Sequence, residues 1–340
     1  MADEGSPEDT MRGRGIDSRL RLWLLLGANR WVIVAALAVV LFATLVVLGT
    51  LDATPLRSTM RGSDPTETVF QALITSIITG VTLVVTINQL VLSAELGPLG
   101  DQRARMSNSM EFRADTEDMF GEVSPTEPAA FLQALVETSA DRAADLRDSV
   151  AGADDRALRD DVEEYTEGLI DHARTVSDQL EDAEFGSYDV IQAALNYNYS
   201  WKIYRARQLR DDYGDGHSAE RREAFDELVR VLTFFGPARE HIKTLYFRWE
   251  LVDLSRAMIY TSLPALGAAI AALLFLDAPS FPGATLGLDN VLLIVCLGVT
   301  ASVLPFLVLI SYILRIATIA KRTLSVGPFI LRESERSGGD

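Results

Sequence analysis

The chain is poor in the residues that build disulfides and metal centres. It holds one cysteine, Cys296, so it can form neither an internal disulfide nor a cysteine-based metal knuckle. Its histidines, His172, His217 and His241, are scattered, which argues against a histidine-rich metal site. Only three of the 31 basic residues are lysine (Lys202, Lys243 and Lys321), and 48 acidic residues bring the net charge to −17. A surface this acidic repels the phosphate backbone, which excludes nucleic acid as a general partner. Walker loops, G-x-S-x-G elbows, H-E-x-x-H helices and dinucleotide fingerprints do not occur. The sequence therefore predicts no enzyme, no cofactor and no metal site.

Charge is missing from four long apolar runs, 31–51, 68–93, 257–276 and 290–314, and none of them holds a histidine. Crossing roughly 30 Å of hydrocarbon takes about 20 helical residues, and each run reaches that length. Four transmembrane helices are expected. The first run follows a long polar stretch and no small-residue cleavage site comes directly after it, so it reads as a retained anchor and not a secretory signal. Because proton relays, ion-coupled transporters and voltage sensors generally keep ionisable side chains within the membrane, the bare spans disfavour all three.

Basic residues set the expected orientation. Arg12, Arg14, Arg19, Arg21 and Arg30 precede the first span, and Arg315, Lys321, Arg322, Arg332 and Arg336 follow the last. The link 52–67 holds only Arg57 and Arg61, and the link 277–289 holds no basic residue. The pattern predicts a multi-pass plasma-membrane protein with both termini cytoplasmic. Its parts are an N-terminal segment 1–30, a first hairpin 31–93, an acidic cytoplasmic domain 94–256, a second hairpin 257–314 and a tail 315–340. Trp23, Trp31, Trp249 and Tyr312 lie near the inner span ends, where amphipathic rings favour the interface.

The insert 94–256 carries 19 basic and 35 acidic residues, a net −16, so nearly all the excess charge belongs to it. Its apolar residues recur at helical spacing. Leu158, Val162, Tyr165, Leu169, Ala173, Val176 and Leu180 form one stripe, and Leu132, Val136, Ser139, Ala143, Leu146 and Val150 form a second. Segments 188–212 and 218–254 read as further helices, with Gly236-Pro237 expected to break or kink the last. The fold class is thus all-α, a polytopic membrane protein with a helical-bundle insert between its second and third spans. Acidity with arginine in place of lysine fits a halophilic habitat, where carboxylates keep the surface hydrated and salt screens their repulsion. Acidic pairs such as Asp160-Asp161 and Glu163-Glu164 lack the calcium-loop pattern.

The second span is the most informative. At 100° per residue, Thr68, Gln71, Thr75, Thr79, Thr82, Thr86, Gln89 and Ser93 fall within about 40° of one line along the helix. Elsewhere in this span only Ser76 and Asn88 carry polar side chains. Such a line gains nothing from hydrocarbon and should face other helices or water. Two roles follow for it: hydrogen-bonded helix packing, or the lining of an aqueous pore in a homo-oligomer. These eight residues are the candidate pore-lining set. The competing function is a membrane-anchored sensor or scaffold whose cytoplasmic domain binds a partner protein.

Other features have plainer readings. Pro264 and Pro305 should kink the third and fourth spans. Gly267 with Ala271, and Gly298 with Ser302, offer small residues for close packing, and Cys296 reads as a packing residue. His172 is expected on a solvated helix face, and His241 beside Glu240 on a charged juxtamembrane face. The run 201–210 interleaves basic and aromatic residues, for which pairing with the domain's own carboxylates is expected ahead of anionic lipid.

Two spans, a helical insert and two more spans are similar in arrangement to bestrophin-type anion channels. That resemblance is one of topology and implies a pore lined by the second span. The stripe here lacks the aromatic neck residues of that family.

Overall fold

The computed structural model describes residues 29–52, 54–62, 65–181, 183, 188–213 and 218–322. Arg12, Arg14, Arg19, Arg21, Trp23, His217, Arg332 and Arg336 lie outside the described residues. Among the described residues the helices are, in chain order, α1 (Arg30–Leu51), α2 (Leu56–Gly62), α3 (Pro65–Glu95), α4 (Leu99–Phe120), α5 (Pro128–Val150), α6 (Arg156–Glu181), α7 (Tyr188–Asn196), α8 (Tyr199–Asp212), α9 (Ala219–Phe275) and α10 (Asn290–Arg322). The link between α9 and α10 adds a short 3-10 turn (Ala278–Ser280) and a two-residue antiparallel pair, β1 (Ala284–Thr285) with β2 (Leu288–Asp289). α1, α3, α9 and α10 each hold a stretch long and apolar enough to cross a membrane. The all-α polytopic architecture with a helical cluster between the second and third spans is therefore the observed one.

The described chain divides into two compact units, one built from 98–247 and the other from 29–97 with 248–319. In the first, α5 starts at Glu127, whose carboxylate accepts the Ala130 amide at 2.7 Å just behind Pro128, a residue suited to the opening turn. Asp155 does the same for α6, accepting the Ala157 amide at 2.9 Å. The six expected positions of α5, Leu132 to Val150, are all buried. So are Leu158, Val162, Leu169, Ala173, Val176 and Leu180 of α6, and the two stripes pack along each other. Each fully buried Leu or Val contributes roughly 1.5–3 kcal/mol. A buried polar knot crosses this core. Tyr197 shares a 2.5 Å hydrogen bond with Ser139, and its ring packs edge-on to Phe235 at 4.9 Å. At the rim Tyr213 donates to Asp161 at 2.8 Å, and that bond pushes the phenol up to about 12.

Several expectations for this unit need correction. The segment 188–212 is two helices, not one. Tyr197 is drawn into the core, and Tyr199 N–H turns to the Tyr197 carbonyl at 2.9 Å, which interrupts the ladder. Gly236-Pro237 does not end its helix, since α9 runs unbroken from Ala219 to Phe275. Pro237 faces outward, where water can serve the carbonyl left without a donor. Phe235 and Ala238 anchor both sides of it in the core. Gly236 faces inward, where an added Cβ would lie 3.0 Å from the Tyr199 ring. His172 is half-buried with its ring 5.6 Å from that of Tyr197, instead of lying on a solvated face.

In the second unit Val34, Val84, Leu254, Ala257, Met258, Leu307, Val308 and Tyr312 make a core contributed by α1, α3, α9 and α10. Glycines let the helices approach. Gly49 sits against Leu292, an added Cβ at Gly80 would lie 3.1 Å from the Phe306 ring, and one at Gly298 would lie 3.1 Å from the Phe70 ring. Gly267 differs from expectation, for nothing approaches within 4 Å of a Cβ placed there. Tyr312 is buried within the chain, where the Arg30 guanidinium stacks 4.1 Å from its ring centroid. Arg30 also pairs with Glu250, itself 4% exposed.

A second arginine ties the opposite ends of these helices. Arg57 donates to both carboxylate oxygens of Asp289, at 2.7 and 3.1 Å, and to the carbonyls of Ala278 at 2.5 Å and Phe281 at 2.7 Å. Asp289 meanwhile accepts the Val291 amide at 2.8 Å, capping α10. The Arg57 hydrogen bond holds the Asp289 carboxyl below the usual carboxylate range, and the same bond raises Arg57.

Candidate functional site

α3 is helical through the polar line because its remaining positions are mostly aliphatic and proline occurs only at its first residue, Pro65. Thr68, Gln71, Thr75, Thr79, Thr82, Thr86, Gln89 and Ser93 are all exposed. From Thr68 to Ser93 the line spans about 38 Å at 1.5 Å per residue, more than the hydrocarbon thickness. Phe70, Ile77 and Val84 are buried at 1%, 2% and 6% exposure. Seven residues apart, they fall on the side of the helix opposite the line. α3 therefore gives its apolar face to its own chain and leaves the whole polar face uncovered. Ile78, Leu83, Ile87 and Leu90 flank that face and are exposed too.

The central threonines share one hydrogen-bond pattern. Thr75 donates to the Gln71 carbonyl at 3.1 Å, Thr79 to Thr75 at 2.9 Å, Thr82 to Ile78 at 2.8 Å and Thr86 to Thr82 at 2.8 Å. Each hydroxyl hydrogen is thus satisfied on the helix itself, one turn back. The oxygen lone pairs remain available on the exposed side.

Among the described residues, no three His, Cys, Asp or Glu side chains converge as metal ligands would. His241 is exposed, and its neighbour Glu240 pairs with Arg239 at 2.9 Å and with Lys243. In the run 201–210, Lys202 is buried, Arg205 donates to Gln208 at 3.0 Å and Arg210 pairs with Asp226 at 2.8 Å, so at least three of its four cations are used within the domain. Between α5 and α6 lies a groove of about 540 Å³ whose rim carries Glu137, Asp141, Glu167 and Asp171 with Arg147 and Arg174.

Sequence reasoning missed the part-buried Arg30–Glu250 pair, whose members stand 220 positions apart. The signal was there: Arg30 directly precedes the first apolar run, and Glu250 stands a few residues ahead of the third.

The chain matches the model of a family of unknown function (DUF7972) over residues 1–339. No curated protein and no solved structure matches the chain.

Proposed function

Because the chain belongs to the family of unknown function DUF7972, we propose a role from its own geometry: several copies assemble around an axis, with α3 lining a passage for small ions. One observation carries this reading. All eight members of the polar line on α3 are exposed on the single chain, while Phe70, Ile77 and Val84 on the opposite side are buried within it. Hydrocarbon offers such a face nothing, so it needs a second copy or water. Hydroxyls and amides along the full depth wet a passage without fixing a charge in it. In this reading both termini and the insert face the cytoplasm, consistent with the arginines that flank the outermost spans.

Cysteine scanning tests it. With Cys296 replaced by serine, cysteines at 75, 79, 82 and 86 should react with water-soluble thiol reagents, and those at 77 and 84 should not. Uniform protection at 75, 79, 82 and 86 would refute the passage.

The groove between α5 and α6, with charges of both signs on its rim, favours a second reading, a scaffold that recruits a protein. Capture of one defined protein by the full-length chain, abolished by Glu167→Lys with Asp171→Lys, would support the scaffold over the passage.

A further inference from the structure

We propose that the passage admits alkali cations and rejects anions, an inference that rests on the reading that α3 lines it. An anion is stabilised by donors, namely N–H groups, arginine, lysine or an outward hydroxyl hydrogen. The span 68–93 contains no arginine or lysine. Thr75, Thr79, Thr82 and Thr86 have each committed their hydrogen to a carbonyl one turn back, at 2.8 to 3.1 Å. What these four exposed hydroxyls present outward is oxygen lone pairs, which solvate a cation and repel an anion. A hydroxyl would turn its hydrogen to an anion only by abandoning its own carbonyl, whereas it receives a cation without any rearrangement. The amides of Gln71 and Gln89, near the two ends of the line, can serve either sign and do not reverse this bias.

Two further observations point the same way. The insert tethered between the second and third spans carries a net −16, which concentrates cations and depletes anions around it. The line carries no carboxylate, so nothing along it holds a divalent ion tightly and a monovalent cation is free to leave. The polarity is thus opposite to that implied by the topological resemblance to anion channels.

The test uses purified full-length protein in planar bilayers of uncharged lipid under a potassium chloride gradient. The reversal potential should be displaced toward the potassium equilibrium value. Displacement toward the chloride value, or none, would overturn cation preference while leaving the passage intact. Absence of any current, with no thiol labelling of the line, would overturn the passage and this inference together. Replacing Thr79 and Thr82 by valine, the same shape without the oxygen, should lower potassium current several-fold, while serine at both positions should largely retain it. Equal currents in the valine and serine variants would refute the assignment to hydroxyl oxygens.

Discussion

α10 and α3 both carry hydroxyl residues through a membrane-length helix, yet they place them on opposite sides of the chain's own packing. In α10 Thr300, Ser302 and Ser311 are buried at 7%, 0% and 4% exposure. In α3 every member of the polar line is exposed. Local chemistry does not explain the difference, since Thr300 and Ser302 bond to carbonyls four residues back just as the α3 threonines do. Packing explains it. Gly298 and Ser302 make a low ridge on α10, and the ring of Phe70 fills the space above Gly298. Once Phe70, Ile77 and Val84 hold the intramolecular contact, the line diametrically across α3 has to face outward. Among the described residues the single chain leaves that line exposed.

Substitutions on the inward side of this comparison should cost most. Replacing Glu250 by alanine takes the carboxylate away from a part-buried guanidinium and should destabilise the fold by up to about 3 kcal/mol. Thermal unfolding of the detergent-purified protein measures this, and an unchanged midpoint would mean the pair is not buried in solution. Next is Gly298→Val, which drives a side chain into the Phe70 ring and should cost about 1–3 kcal/mol. Phe70→Leu combined with it should recover part of the loss. On the outward side, Thr82→Val should change the unfolding of the single chain by no more than about 0.5 kcal/mol, while weakening potassium current. A loss as large as that of Gly298→Val would erase the distinction between the two helices.

The smallest effect belongs to the Arg57–Asp289 clasp and appears as acid sensitivity. Asp289 is held below its ordinary carboxylate value, chiefly by the Arg57 hydrogen bond. Its stabilisation is therefore complete above the unfolded value of about 3.9 and is lost as pH falls through the lower folded value. Unfolding midpoints taken between neutral and strongly acid pH should show this decline. Asp289→Asn should flatten it, and an unaltered slope in that variant would assign the acid sensitivity elsewhere.

Much of this fold is legible in the sequence because burial imposes a period. The α6 stripe from Leu158 to Leu180 and the α5 stripe from Leu132 to Val150 can be read from spacing alone, and both are core. The polar line of α3 was equally readable as a line. Its direction was not, because periodicity separates two faces of a helix without saying which one the rest of the chain covers. Local rules failed where tertiary packing overrode them. Proline at 237 would break an isolated helix, but flanking core residues carry α9 through it, and the pull of Tyr197 into the core splits a segment whose composition reads as continuous helix. Arg30 and Glu250 each stand out beside an apolar run, but no local pattern joins two charges on different helices into a pair.

The hairpin between α9 and α10 has a practical use. Its tip places Leu286 at a φ of 51° and Gly287 at 81°, and Leu286 is 97% exposed. A leucine in the left-handed region costs roughly 1–2 kcal/mol, so Asn or Gly there should fit better. A tip this open tolerates added residues. A short epitope spliced between Leu286 and Gly287 would let antibodies on unbroken cells report which side of the bilayer the loop occupies.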